Sequence, residues 1–240
     1  MSSTDARDDL AILFQDDHLL VLNKPSGIPV QDDQSGDTSL MAIVKDRLPK
    51  GPVGLVHRLD RPVSGAVLMT LSREAEKAMH EAFRDGRVDK RYLAVVHGRP
   101  VDHFVLEHRL VHDKRRHRAR IGSGDEGRLV RLHGRVVRTG ERYSLVELVP
   151  EEGAFHQIRA QLAAAGHPIK GDVKYGARRG ERDRSIALHA SWLRFDHPVA
   201  GLPIEVVVPP PISGIWSLFG PIGRIEGQGR SDYRNGRQRG

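Results

Sequence analysis

The sequence predicts an α+β protein with a mainly antiparallel sheet and flanking helices. Three observations support this. Apolar runs of strand length outnumber helical patterns, the two do not alternate as a doubly wound fold requires, and no internal repeat divides the 240 residues.

The elements follow in order. Residues 13–23 (LFQDDHLLVLN) give two apolar stretches around Asp16-Asp17, which predicts a hairpin. Lys24-Pro25-Ser26-Gly27 then forces a turn. Leu40, Ile43, Val44 and Leu48 recur at helical spacing, with Asp37 or Thr38 as the cap. Residues 65–71 (GAVLMTL) read as a buried strand. Ser72 caps a helix whose apolar face is Ala75, Ala78, Met79, Ala82 and Phe83, and Gly86 stops it. Residues 91–97 are a strand. The stretch 103–142 is the most basic and least regular, and predicts short strands with an exposed hairpin at 122–127. Residues 143–149 form a strand and 156–165 a short helix stopped by Gly166 and Pro168. Strands at 186–195 and 203–208 finish the core. The expected organisation is a loose tail at 1–10, one domain at 11–215 and a basic, disordered tail at 216–240.

A formal net charge of +7 and a pI near 10.0 favour polyanionic partners, nucleic acid or an anionic membrane surface. With no cysteine, disulfides, thiolate metal sites and thiol catalysis are excluded. No apolar run reaches membrane length, and the acidic start MSSTDARDDL lacks the form of a signal peptide. A cytoplasmic location is the expectation.

Three segments carry candidate chemistry. In VHRLDRPVSG (56–65), Asp60 stands among His57, Arg58 and Arg61. Neighbouring cations favour its ionised form, which can act as nucleophile or base. A surface loop with ordinary ion pairs is the plainer reading of that segment alone. On the predicted helix at 156–165, Ile158, Leu162 and Ala165 face the core, and His156 and Arg159 lie one turn apart on another face. An amphipathic helix with a solvated polar side explains it equally. In KRYLAVVHG (90–98), Tyr92 is either a catalytic phenol or a core aromatic with a wet hydroxyl. The G-x-G-x-x-G match at 122–127 contains Asp125 and Glu126, which would repel a pyrophosphate, so a surface turn is expected there. The histidines at 103, 108, 112 and 117 sit in an Arg-rich stretch that opposes a bound cation, and no metal site is expected.

Taken in order, these motifs resemble the RluA-type pseudouridine synthase family from about Ile12 to Pro209. The resemblance rests on Lys24-Pro25-x-Gly27, His57-Arg58-Leu59-Asp60 with Ser64-Gly65, and Lys90-x-Tyr92. It continues in His156-Gln157-Ile158-Arg159, Gly166-x-Pro168-Ile169-x-Gly171-Asp172, Tyr175-Gly176, Leu188-His189-Ala190 and Phe195-x-His197-Pro198. It implies the synthase fold, a mostly antiparallel sheet with a cleft across it, and conversion of uridine to pseudouridine in structured rRNA or tRNA without cofactor or metal. It implies Asp60 as the catalytic aspartate, Arg159 as its partner, Tyr92 against the target base as a base, and Ile158 in the pocket wall. Arg58 would help extrude the uridine. His57, Arg61, Lys24, Lys114, Arg115, Arg116 and Arg118 are the further expected RNA contacts. No small RNA-binding domain of the S4 type is expected before the catalytic region, and the expected state is a monomer. Two departures stand out: Ala154 replaces a usual arginine and Val63 a usual threonine. The competing classes are a non-catalytic RNA-binding protein on the same fold and a metal-dependent nuclease. The nuclease would need clustered carboxylates that the sequence does not show.

Overall fold

The structure is a computed structural model that describes residues 10–48 and 51–222. In chain order the elements are β1 (Ile12–Gln15), β2 (Leu19–Lys24), α1 (Leu40–Arg47), β3 (Gly54–Leu55), β4 (Ser64–Thr70), α2 (Arg73–Arg84) and β5 (Asp89–His97). β6 (His103–Asp113), β7 (Arg118–Ile121), β8 (Arg128–Thr139), β9 (Tyr143–Pro150), α3 (Gln157–Ala164), β10 (Leu188–Asp196) and β11 (Pro203–Val207) follow. Short 3₁₀ turns cover Val173–Tyr175 and Gly214–Phe219. Strands dominate, and the ladders β1–β2, β2–β4, β3–β4, β5–β9, β6–β7, β6–β8, β8–β9 and β10–β11 are antiparallel, so the α+β expectation holds.

Where one domain was expected at 11–215, the described chain divides into two compact units. One holds the residues up to Val88 with Ala190–Val208, the other Asp89–His189 with the chain from Pro209. In the first, β1 and β2 form the expected hairpin, β2 pairs with β4, and β10 pairs with β11. β4 is buried along its whole length. α2 lays Ala75, Met79 and Ala82 on a core with Leu19, Val21, Leu68, Leu193 and Phe195. The Ser72 hydroxyl caps α2 by accepting from the Ala75 amide at 3.2 Å. α1 is capped by neither expected residue: the Ser39 hydroxyl, bonded to the Ala42 amide at 3.1 Å, does so. Gly65 has φ +114°, and a Cβ there would lie 2.3 Å from the Ala190 carbonyl oxygen, so only glycine admits that approach.

In the second unit the strand order is β5-β9-β8-β6-β7. The expectation of short, irregular strands at 103–142 is corrected: β6 runs 11 residues and β8 runs 12. Charged and polar residues such as His103, Glu107, His112, Arg128 and Arg138 are exposed among apolar ones, which broke the apolar signal without breaking the ladder. Residues 122–127 form an exposed turn in which Glu126 pairs with Arg120, as a surface turn rather than a nucleotide loop. The boundary expected at 215 falls inside the Gly214–Phe219 turn, where Trp216 and Phe219 are buried and Arg138 donates to the Phe219 carbonyl. The rest of the expected tail, from 223, and the N-terminal tail to residue 9 lie outside the described residues.

Candidate active site

Asp60 belongs to the first unit. Val56, Leu59 and Val63 are buried and pin the loop around it, and the Val63 amide closes a turn on the Asp60 carbonyl at 3.0 Å. Val63 thus fills apolar space where the family usually has threonine. The Lys24-Pro25-Ser26-Gly27 turn grips the next peptide. Arg61's carbonyl accepts from the Gly27 amide at 2.8 Å and from the Lys24 ammonium at 3.2 Å. Arg61 Nε donates back to the Gly27 carbonyl at 2.9 Å, and its guanidinium pairs with Asp37.

Lys24 is fully buried and also donates to the carbonyls of Pro25 and Ile28, both at 2.9 Å. Burial brings its pKa down from 10.5 to about 7, opposed by the Asp60 charge and assisted by Arg61. The expected RNA contact by Lys24 is therefore corrected: a side chain with no exposed surface and three carbonyl partners anchors the loop instead. Arg61 is committed to the same clamp. His57 is likewise turned inward, accepting from the Leu68 amide at 2.8 Å and stacking on Phe83 at 4.8 Å. Arg58 is exposed.

Arg159 and Tyr92 belong to the second unit. Of the two readings of α3, the solvated polar side does not hold: everything from Gln157 to Leu162 is buried, Ile158 included. Most of its polar groups are matched, although Gln161 Oε1 is buried without a partner among the described residues. Gln157 accepts from the Ala154 amide and donates to the Arg131 carbonyl, and Gln161 donates to the Leu106 carbonyl at 2.8 Å. Arg159 makes a bidentate pair with Asp172, at 2.7 and 2.8 Å, with both residues at 5% exposure or less. Ala154 packs on the apolar cluster of Leu110, Ala119, Val130 and Ala160, so the place of the missing arginine is an apolar contact.

A second partner fixes Arg159. Its Nη1 lies 3.1 Å from His156 Nε2, and His156 Nδ1 lies 2.8 Å from the Tyr175 hydroxyl. Arginine can only donate, so Nε2 accepts and the neutral ring carries its proton on Nδ1. Tyr175 Oη then accepts from His156 and from the Ala119 amide at 2.8 Å, and its own proton goes to the Ala119 carbonyl at 3.2 Å. One assignment satisfies every group. His156 has φ +52°, a left-handed conformation that costs a non-glycine residue about 1–2 kcal/mol. Such strain concentrates at functional sites. The sequence marked Asp172 and Tyr175 only as motif residues; that Asp172 pairs with Arg159 emerges only when the chain reverses after Gly166.

Tyr92 lies on β5 opposite Leu148 of β9 and is half-buried. Lys114, Arg115 and Arg116 are exposed at the turn between β6 and β7, with Arg118 half-buried at its base.

Residues 18–164 match the family model for RNA pseudouridylate synthase. The chain belongs to that family. Among relatives of this synthase, tRNA pseudouridine synthase C of Salmonella typhi is 36% identical over 219 residues, 82% of this chain and 84% of that protein. Ribosomal large subunit pseudouridine synthase C of Escherichia coli is 35% identical over 217 residues, 82% of this chain and 66% of that one. The tRNA pseudouridine synthase C of Pectobacterium carotovorum is 33% identical, and there this chain spans 62% of the relative's length. The solved human RNA pseudouridylate synthase domain containing 1 superposes with a TM-score of 0.75 at 25% identity, covering 100% of this synthase and 98% of the human chain.

Proposed function

We propose that this synthase isomerises specific uridines to pseudouridine in tRNA or ribosomal RNA, with Asp60 as its catalytic carboxylate. The observation that carries the reading is the clamp on the Asp60 loop. Lys24 and Gly27 hold the peptide one residue beyond the aspartate, and a catalytic group needs that kind of positional restraint. The relatives' names supply the two RNA classes.

The reaction breaks the N1–C1′ bond, turns the freed uracil and joins C5 to C1′. No atom is gained and no electron is exchanged, so the residues need only an anion at the sugar, a group that moves a proton and a pocket that retains the base. In this reading Asp60 is the anion, Arg159 supports its charge, and Tyr92 lies against the base and moves the proton. Arg58 helps extrude the uridine, at a cost of a few kcal/mol for leaving the stack. Among the described residues no helix is long and apolar enough to cross a membrane. We place the protein in the cytoplasm, acting as a monomer.

The test is pseudouridine mapping on unmodified tRNA and large-subunit rRNA transcripts incubated with the protein and with Asp60→Asn. Pseudouridine at discrete uridines with the wild type and none with Asp60→Asn supports the reading. RNA bound but left unmodified by the wild type would instead support the non-catalytic RNA-binding alternative.

A further inference from the structure

A groove of about 290 Å³ runs between β7 and α3 of the second unit. Its floor is small and apolar, Ala119, Ala160 and Ala163, and its cationic lining comes from Arg118, Arg120 and Lys174. Arg118 and Arg120 stand two residues apart on β7 and so share a face of the strand. Lys174, exposed, comes from the 3₁₀ turn beyond α3 and uses one hydrogen on the His117 carbonyl at 3.1 Å. No carboxylate lines the groove among the described residues.

The three cations differ in how far they are already spoken for. Arg120 is paired with Glu126 through both terminal nitrogens. Arg118 makes no side-chain hydrogen bond among the described residues, and its Nε is buried without an acceptor. A buried guanidinium donor left unmatched is costly, and the group that would match it is an anion. The available charge of the groove is therefore that of Arg118 and Lys174, which line it together with alanine methyls.

We infer that this groove holds a phosphodiester of the RNA substrate, away from the nucleotide being modified. The inference rests on the proposed RNA substrate. Alanine methyls cannot read the edge of a base, whereas arginine and lysine lining one groove suit a phosphate. The exposed Lys114, Arg115 and Arg116 follow directly on the N-terminal side of β7, so the sugar–phosphate chain meets one continuous basic run. The groove's wall includes Tyr175, whose hydroxyl reaches Arg159 through His156. Backbone held here rests on the network that orients Arg159.

The experiment is a titration of the same unmodified tRNA and large-subunit rRNA transcripts at several salt concentrations with the full chain, Arg118→Ala/Lys174→Ala, and Lys77→Ala as a control on exposed charge in the other unit. Each phosphate that the protein no longer neutralises should reduce the slope of log affinity against log salt by about 0.7–0.9. A weaker affinity and shallower slope in the double variant, with the control matching the wild type, is the expected result. An unchanged slope in the folded double variant overturns the inference. Should removal of the half-buried Arg118 prevent folding, Lys174→Glu alone is judged by the same two outcomes. Pseudouridine formation is scored on the same RNA. If the wild type binds with the steeper slope yet forms none, the groove stands and the proposed activity falls.

Discussion

Asp60 and Arg159 are fixed in opposite ways. In the first unit the restraint falls on the main chain: Lys24 and Gly27 hold the Arg61 carbonyl, and Arg61 holds Gly27 in return. In the second unit it falls on the functional side chain itself, through Asp172 and through the His156–Tyr175 relay. A main-chain clamp fixes where a carboxylate starts and leaves its head to the reaction. A side-chain network fixes the charged head but spreads its dependence over residues distant in sequence. Substitutions in the two regions should therefore fail differently.

The largest effect expected is at Asp60. Asp60→Asn keeps the shape and the clamp, so pseudouridine formation should vanish while the thermal midpoint and RNA affinity hold. Turnover at the wild-type rate would remove Asp60 from the chemistry. Next comes Asp172→Leu, which leaves the Arg159 charge buried without its bidentate partner. A loss of about 3–5 kcal/mol in denaturant unfolding is expected. Arg159→Met combined with Asp172→Leu should recover most of that stability without recovering activity. If the double variant stays as unstable as the single one, the pair is not the source of the loss.

Lys24→Met tests the main-chain clamp. It strips the hydrogen bonds that a buried side chain gives to three carbonyls, and a loss of about 2 kcal/mol is expected near neutral pH. The pH dependence adds a sign. With the folded pKa at about 7 against an ordinary 10.5, the unfolded state binds more protons between those values. Wild-type stability should rise with pH across that window by up to about 1.4 kcal/mol per unit, relative to Lys24→Met. Urea unfolding of both proteins at pH values of about 6.5, 8 and 9.5, chosen to span that window, measures it. Parallel curves would mean that the ammonium is not strained by burial. The smallest effect is that of Tyr175→Phe, about 1 kcal/mol for the lost hydrogen bonds, with turnover falling more than RNA affinity because the relay to Arg159 is cut. Equal losses in both would give Tyr175 a binding role only.

The two regions also differed in how much the sequence disclosed. A short continuous apolar run exposed β4 as a buried strand, and Ser72 announced α2, because both signals are local. The loop motif around Asp60 was visible for the same reason, packed into residues 56–65. For α3 the sequence left a solvated polar side open, because the partners that bury Gln157, Arg159 and Gln161 include groups 13 to 55 positions away. Lys24, read as an RNA contact from its charge, is an anchor because of carbonyls that no sequence pattern displays. β6 and β8 hid for a related reason, since exposed charged and polar residues among apolar ones erase the apolar rhythm while the ladder persists.

The bond between Tyr175 and Ala119 has a consequence for the sheet edge. β7 ends the strand order of its unit, and an end strand offers bare amides and carbonyls to any extended chain that meets it. Tyr175 occupies both polar groups of Ala119 with a single hydroxyl, midway along a strand of four residues. Arg118 and Arg120 add like charges on either side of it. The hydroxyl bonded to His156 in the Arg159 network thus also occupies the polar groups at which a second molecule could add a strand.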